Sequence, residues 1–192
     1  MSTYLAPIER PKSLLLRLMF VFMRRKFGKV LTPLAVFSAR LPLAFTTFYG
    51  KVSKLDKKLT LPAKTAVLIR EQVASINMCL FCMDAGRWFA TNELGEDAAR
   101  LDALPHYGSS PLFSDAERAA LDYATELTRE RNVRTETFER LARYYDEREI
   151  CEIVWLVASE HLYNVSNIGL NIESDGLCEL LPERGLQSVE VG

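Results

Sequence analysis

Apolar side chains recur every three or four residues along most of the 192-residue chain, and no segment shows the alternation of a strand. Two helix starts carry capping signals, because Ser114 is followed three residues later by Glu117 and Asp146 by Glu149. This pattern predicts seven or eight helices and no sheet. The expected fold class is therefore all-α, a single-domain helical bundle over residues 1–192.

Prolines and glycines divide the helical pattern into segments. Leu61 and Pro62 mark the start of a third helix that runs to about Asn77, since proline is favoured in a first turn. Gly176 and Gly185 fall in a C-terminal tail. The predicted helices cover residues 12–25, 42–57, 62–77, 79–93, 96–103, 114–131, 135–145 and 146–171, and residues 105–111 are predicted to form a loop.

The charge of the chain is balanced, because 24 Lys and Arg residues oppose 25 Asp and Glu residues. Proteins that bind nucleic acid usually carry a strong basic excess, so nucleic acid is not an expected partner. Residues 14–23 are apolar but about half as long as a membrane-spanning helix, and Arg17 interrupts them. They also lack the small-residue cleavage site of a signal peptide. We therefore expect a cytoplasmic protein whose N-terminal helix packs on the domain or on a partner subunit. Attachment to a membrane surface through Arg24, Arg25 and Lys26 is the less favoured alternative.

Four cysteines occur, and only Cys79 and Cys82 lie close together in the sequence. In a reducing compartment a Cys-x-x-Cys pair is more often catalytic or metal-binding than a structural disulfide. A zinc site would need two more ligands, and no second Cys-x-x-Cys or His-x-x-x-His accompanies the pair. A redox pair is the favoured interpretation, with zinc binding or two inert thiols as alternatives. Cys151 and Cys178 are interpreted as isolated thiols, and no metal or organic cofactor is expected.

The cysteine pair is predicted to open the fourth helix, which places both thiols on one face of its first turn. The unpaired N–H groups and the dipole of a helix N-terminus stabilise a thiolate, which is the reactive form of cysteine. One thiolate can then attack an oxidant or a disulfide, and the second can resolve the product. The pattern therefore predicts a thiol-redox centre.

The stretch LPAKTAVLIREQVASINMCLFCMDAG, residues 61–86, resembles the core of the alkylhydroperoxidase D and carboxymuconolactone decarboxylase superfamily. Its members carry a helix that begins near a Leu-Pro, and then an Asn-Gly-Cys-x-x-Cys-like turn that opens the next helix. Residues 113–130 and 146–172 resemble later helices of the longer members. The resemblance covers about residues 30–180 and implies an alkylhydroperoxidase D-like core, to which residues 1–30 add an N-terminal helical extension.

The resemblance implies a role for each cysteine. In the peroxidase members the second cysteine attacks the peroxide and the first resolves the product, which assigns attack to Cys82 and resolution to Cys79. A histidine four residues after the second cysteine and a glutamate twelve residues before the first normally form a proton relay. Gly86 and Val67 occupy those two positions, so both relay residues are absent.

Three other side chains are candidates for the missing acid–base role. Glu71 lies on the preceding helix, Asp84 follows the second cysteine by two residues, and His161 lies on the helix that resembles the family's packing partner for the cysteine helix. Each has a structural alternative: an ion-paired face for Glu71, a first-turn interaction for Asp84, and a satisfied core or interface position for His161. Asn164 and Asn167 are expected to tie helices together through side-chain hydrogen bonds.

These residues and the resemblance together predict a thiol-dependent peroxidase that reduces organic hydroperoxides and is restored by an external dithiol. One alternative is a lactone decarboxylase of the carboxymuconolactone type, in which acid–base groups carry the reaction. The other is a non-enzymatic, redox-sensing oligomer. Because the N-terminal helix is apolar, we also expect a homo-oligomer, either a dimer, a trimer or a hexamer.

Overall fold

Eight α-helices make up most of residues 3–180, the part of the chain that the computed structural model describes, and no strand occurs there. The predicted all-α fold class is confirmed. The two residues before this range and the tail from residue 181 onwards, with Gly185, lie outside the described residues. The helices are α1 (Leu14–Phe27), α2 (Gly50–Asp56), α3 (Ala63–Ile76), α4 (Leu80–Asn92), α5 (Ala98–Ala103), α6 (Asp115–Glu130), α7 (Thr135–Leu141) and α8 (Glu147–Ile168).

Both predicted capping boxes form. The Ser114 hydroxyl accepts the Glu117 N–H at 3.2 Å, and the Glu117 carboxylate accepts the Ser114 N–H at 2.9 Å. Asp146 and Glu149 make the same reciprocal pair at 2.8 and 2.9 Å. These caps satisfy N–H groups that a helix start would otherwise leave unpaired, and they fix where α6 and α8 begin.

Helix α3 lies at the centre of the fold and is buried on two sides. One side packs Ile69 and Val73 into a cluster with residues of α6 and α8. The other side packs Val67 and Leu68 against α4, α5 and α6. Alanines on α6 leave space for this close approach, as Ala120 and its neighbours are fully buried. A side chain of α3 can therefore reach α4 and α8 at the same time.

Three predicted helices differ from the structure, and the first is the helix predicted over 135–145, which ends at Leu141 as α7. Residues 42–57 form a π-helical segment, Ala44–Tyr49, before the short α2, instead of one regular helix. Helix α8 ends at Ile168 instead of about residue 171, because the carbonyl of Asn167 accepts the N–H groups of Leu170 and Ile172 and Asn171 takes a left-handed conformation. The chain consequently turns back toward α4 after α8.

The predicted N-terminal extension forms α1, which is only partly covered by the core. Leu16 and Phe20 are buried against Leu34 and Ala35, and Lys26 pairs with a glutamate at the end of α4. Among the described helices, none combines the length and the apolar character needed to cross a bilayer. The apolar residues that α1 leaves exposed are Leu14, Leu15, Leu18, Val21 and Phe22.

A buried carboxylate holds the start of α3 against α8. Glu152 accepts the backbone N–H groups of Thr60 and Leu61, the Thr60 hydroxyl and the Arg148 guanidinium, at 2.8–3.1 Å. Burial acts to raise the pKa of this carboxyl, but the hydrogen bonds from Leu61, Thr60 and Arg148 outweigh burial and lower it. Glu152 thereby anchors the two residues that precede Pro62, the N-cap of α3.

Replacing Glu152 with Gln should lower the free energy of unfolding by about 1–3 kcal/mol at neutral pH, because hydrogen bonds to a charged acceptor are worth roughly that amount. Since folding lowers the pKa of Glu152, its contribution is present above the ordinary value of 4.5 and is lost as the pH falls. Urea unfolding at neutral and acidic pH measures both effects. Glu139→Gln, an exposed carboxyl on α7, is the control, and equal stability of the two variants would contradict this role for Glu152.

Candidate functional site

The cysteine pair lies where α3 turns into α4. Asn77 ends α3, Cys79 is the N-cap of α4, and Cys82 is the third residue of that helix. The two cysteines form a disulfide, with their Cα atoms 5.2 Å apart. Met78 sits between the helices with φ of +56°, which is the left-handed conformation that glycine adopts most easily. This explains why the family pattern has glycine before its first cysteine.

The two sulfurs differ in accessibility. Cys79 is 1% exposed and Cys82 is 9% exposed. Both pack with Ala74 of α3, Met83 of α4 and Tyr163 of α8, so the pair lies in an apolar layer between three helices. Cys82 is thus the more exposed residue of the pair.

An asparagine of α8 contacts the sulfurs. The side-chain N–H of Asn167 donates to Cys82 Sγ at 3.4 Å and approaches Cys79 Sγ at 3.9 Å. Asn167 was expected to tie helices together, and its partners in the structure are instead the two cysteine sulfurs. Asn164, one turn earlier, does tie helices, because its Oδ1 accepts an N–H of Asn77 at 2.8 Å.

Glu71 occupies the space beside Gly86. A Cβ built on Gly86 would lie 2.9 Å from Cδ of Glu71 and closer still to its Oε1. Gly86 is four residues after Cys82 on α4, so the Glu71 carboxyl lies one helical turn from the predicted attacking cysteine. The glycine that removes the family histidine therefore also makes the space for a carboxyl from α3.

The environment of Glu71 keeps its carboxyl neutral. The residue is 8% exposed, and no hydrogen bond or ion pair to its carboxyl is found among the described residues. Burial, and secondarily the charge of Glu160, raise its pKa to about 9, although Arg87 opposes the shift. The carboxyl borders a cavity of about 120 Å³ between α3, α4 and the turn at Leu104, which Met83 and Arg87 also line. Glu71 is thus a protonated acid at neutral pH, positioned at a cavity.

The Asp84 carboxylate accepts hydrogen bonds from the segment that follows α8. It accepts the Ser174 hydroxyl and the backbone N–H groups of Leu177 and Cys178, each at 2.9 Å. These hydrogen bonds lower the pKa of Asp84 despite the opposing effect of burial. The side chain fastens the segment after α8 onto α4, and none of its described hydrogen bonds is with either sulfur of the pair.

Cys178 is a free cysteine, as predicted. Its Sγ donates to the backbone carbonyl of Asp84 at 3.4 Å, because the segment after α8 returns to α4. Burial, and secondarily Asp84, raise the pKa of this thiol to about 12, so it is held in the unreactive protonated form. The other predicted isolated thiol, Cys151, is free and exposed on α8.

His161 lies at the edge of a polar network and not at the sulfurs. Its ring contacts Asn77 at 3.0 Å and Arg131 at 2.7 Å, and no contact with either cysteine is found among the described residues. Burial, and secondarily Arg131, lower the pKa of His161, which favours the neutral ring. The network continues through Asn164 to Glu160, whose carboxylate also accepts the Arg70 guanidinium at 3.1 Å.

Among the described residues, the structure pairs Cys79 with Cys82 and adds Asn167 to them. It places Glu71 against Gly86, one turn along α4 from Cys82, and shows no hydrogen bond from Asp84 or His161 to either sulfur. Within residues 3–180, no group of three or more His, Cys, Asp or Glu side chains is arranged to hold a metal ion. The arrangement can support thiolate attack, formation of a disulfide and proton donation by a neutral carboxylic acid.

No protein-family model matches the chain. The uncharacterized protein YnjA of Escherichia coli (strain K12) is 31% identical to this chain over 167 residues, which are 84% of this chain and 88% of YnjA. The similarity thus extends over nearly the full length of both proteins.

Two solved structures resemble the fold closely. The debrominase Bmp8, solved in its apo form and as a cysteine-to-alanine variant in complex with 2,3,4-tribromopyrrole, has a TM-score of 0.78 and 22% identity over 94% of this chain and 96% of Bmp8. A peroxidase-related protein from Ralstonia eutropha JMP134, described as an alkylhydroperoxidase AhpD core, has a TM-score of 0.76 and 19% identity over 91% of this chain and 94% of its own. The chain therefore belongs to the same family as YnjA, and it has the all-helical fold of the alkylhydroperoxidase AhpD core.

Proposed function

We propose that this protein is a thiol-dependent peroxidase that reduces organic hydroperoxides through Cys82 and Cys79. The observation that carries the proposal is the pairing of a reversible dithiol at the start of α4 with a buried, neutral carboxylic acid one turn away. Fold similarity to peroxidase-related proteins supports it.

The reaction has two chemical steps in the protein. The Cys82 thiolate attacks the distal oxygen of the hydroperoxide, the S–O bond forms, the O–O bond breaks, and the alkoxide leaves as an alcohol once it gains a proton. The Cys79 thiol then attacks the Cys82 sulfenic acid, the S–S bond forms, the S–O bond breaks, and the hydroxyl group leaves with the thiol proton as water. An external dithiol supplies the two electrons and two protons that restore both thiols, and is itself oxidised to a disulfide.

Glu71 donates the proton to the leaving alkoxide. A general acid must be protonated at the working pH, and the raised pKa of Glu71 meets this requirement, whereas an exposed glutamate would be ionised. The neighbouring cavity supplies the space for a small organic group, since Met83, Leu101 and Leu104 present apolar surface there. Glu71, which fits beside Gly86, thereby takes the place of the glutamate and the histidine that are absent at residues 67 and 86.

Two partners complete the proposal. The external dithiol attacks Cys82 of the disulfide, because Cys79 is almost fully buried. A second copy of the chain covers the exposed apolar residues of α1, which would otherwise remain in water. Asp84 and His161 take positioning roles in this proposal, through the segment after α8 and through Asn77 respectively.

Reductive dehalogenation is a second candidate function, favoured by the structural similarity to the debrominase Bmp8. The Cys82 thiolate would attack the halogen of a small halogenated ring, and the carbanion released would gain a proton from Glu71. Cys79 would then displace halide from the sulfenyl halide and form the same disulfide. Release of bromide from 2,3,4-tribromopyrrole by the reduced protein, with no reaction toward hydroperoxides, would favour this function.

Rapid-quench mass analysis of the reduced protein with tert-butyl hydroperoxide tests the peroxidase proposal. We expect a Cys79–Cys82 disulfide in the wild type and a trapped sulfenic acid at Cys82 in Cys79→Ser. Cys82→Ser should lose fast oxidation, while Cys151→Ser, which removes an exposed thiol far from the site, should react like the wild type.

Oxidation no faster than that of a free thiol at the same pH would overturn this proposal. Decarboxylation of a lactone that survives replacement of both cysteines would instead support the carboxymuconolactone-type alternative. Slow oxidation that does not depend on Glu71 would support a redox-sensing role.

Replacing Glu71 with Gln should slow peroxide reduction by roughly 10²–10⁴-fold, the usual contribution of a general acid. The same change should stabilise the protein. Because folding raises the pKa of Glu71 from 4.5 to about 9, wild-type stability falls as the pH rises between these values. At neutral pH the variant should therefore gain up to about 3 kcal/mol in free energy of unfolding.

Stopped-flow oxidation and urea unfolding across the pH range measure these two effects of Glu71→Gln. The wild-type rate should decline above about pH 9, where Glu71 ionises, and the variant should lack that decline. Glu93→Gln, which alters an exposed carboxyl at the end of α4, is the control. Unchanged oxidation in Glu71→Gln would contradict a role as general acid.

Gly86→Ala tests the same geometry from the opposite helix. The new methyl group would displace the flexible end of Glu71, so we expect the oxidation rate of Glu71→Gln without a large loss of stability. The double variant Glu71→Gln, Gly86→Ala should be no slower than either single variant, because both changes remove one interaction. Additive losses in stopped-flow oxidation would show that the two residues act separately.

A further inference from the structure

We propose that Asn167 is a catalytic residue whose side-chain N–H stabilises the Cys82 thiolate and so selects Cys82, and not Cys79, as the attacking thiol. The inference rests on the proposed function and deepens it, because neither the family pattern nor the sequence assigns a group to this choice.

The geometry is asymmetric between the two sulfurs. The Asn167 Nδ2 lies 3.4 Å from Cys82 Sγ and 3.9 Å from Cys79 Sγ, and the first distance is the shorter hydrogen bond. Asn167 is 5% exposed, so its amide has little access to water. A buried amide N–H needs an acceptor, and in this site the acceptor that it reaches best is Cys82.

The end of α8 holds the amide in place. The Asn167 carbonyl accepts the N–H groups of Leu170 and Ile172 at 3.2 and 3.0 Å, and Ile172 is buried. Tyr163, one turn earlier on the same helix, packs against the cysteine pair. The donor is therefore fixed on a packed helix end and not on a mobile loop, which limits reorganisation during reaction.

The hydrogen bond is strongest when the sulfur is charged. A disulfide sulfur and a thiol are weak acceptors, whereas a thiolate is an anion and accepts a charge-assisted bond. Stabilising the charged form favours ionisation, so the Asn167 N–H increases the fraction of Cys82 present as thiolate. The N-terminus of α4 acts on both cysteines and cannot by itself distinguish them, since Cys79 is its N-cap and Cys82 lies in its first turn.

Burial also favours Cys82 over Cys79 as the attacking thiol. Cys79 is nearly inaccessible, and burial in apolar surroundings disfavours its thiolate. When the Cys82 thiolate attacks, its electron pair forms the S–O bond and the alkoxide leaves with the proton of Glu71. Asn167 neither gains nor loses a proton in this step, and keeps donating to the sulfur as it changes from thiolate to sulfenic acid.

Asn167→Leu tests the proposal, with Asn164→Leu as a matched control. Both changes remove a buried amide from α8, but Asn164 contacts Asn77 and Glu160 and neither sulfur. The readout is the pH dependence of alkylation of each cysteine in the reduced protein, followed peptide by peptide by mass spectrometry. We expect the alkylation midpoint of Cys82 to rise by about one pH unit or more in Asn167→Leu, because a hydrogen bond to a charged group is lost.

Asn164→Leu should lower stability without moving the Cys82 midpoint. Peroxide oxidation of Asn167→Leu should be about tenfold slower at neutral pH and should recover at high pH, where Cys82 is fully ionised. An unchanged Cys82 midpoint in Asn167→Leu, or an equal shift in Asn164→Leu, overturns the proposal.

The wild type provides a test that does not depend on the folding of a variant. Cys82 must have the lower alkylation midpoint of the two cysteines, and a lower midpoint at Cys79 overturns the proposal. Alkylation uses no peroxide, so it also separates the two hypotheses. A Cys82 midpoint that depends on Asn167, in a protein that does not reduce hydroperoxides, supports the role of Asn167 in thiolate stabilisation and rejects the peroxidase function.

Discussion

A carboxyl buried between two helices without a charged partner is the constraint on which the site depends. Glu71 occupies that position as a neutral acid, because burial and the charge of Glu160 raise its pKa more than Arg87 lowers it. The central location of α3 creates this burial, and Gly86 leaves the volume that the carboxyl fills. The same packing that stabilises the fold therefore sets the protonation state of a reactive group.

Local signals in the sequence were sufficient for much of the fold. The capping pairs at Ser114 and Asp146 and the proline at residue 62 act within one turn, so their residue types alone place the helix starts. The two cysteines at the start of α4 also lie within one turn, so their pairing could be predicted from their spacing. The segment 44–49 was harder to predict, because a π-helical turn depends on what packs around it.

The remainder of the site depends on contacts between residues distant in the sequence. Asn167 reaches Cys82 across 85 positions and Asp84 reaches Cys178 across 94, and neither spacing follows from periodicity. Gly86 was interpreted only as the loss of the relay histidine, because the sequence does not show that the Glu71 side chain fills the space beside this glycine. His161 was a candidate base with a satisfied core or interface position as its alternative, and the structure places it beside Arg131.

The shared volume of Glu71 and residue 86 has an evolutionary consequence. A histidine at residue 86 would have to displace the carboxyl of Glu71, and loss of the glutamate first would leave neither acid. A protein with Glu71 and Gly86 and a protein with a histidine at residue 86 therefore differ by two coupled substitutions, which evolution makes together only rarely. Homologous sequences should accordingly fall into two groups, which the residues at positions 71 and 86 together distinguish, even where the cysteines are identical.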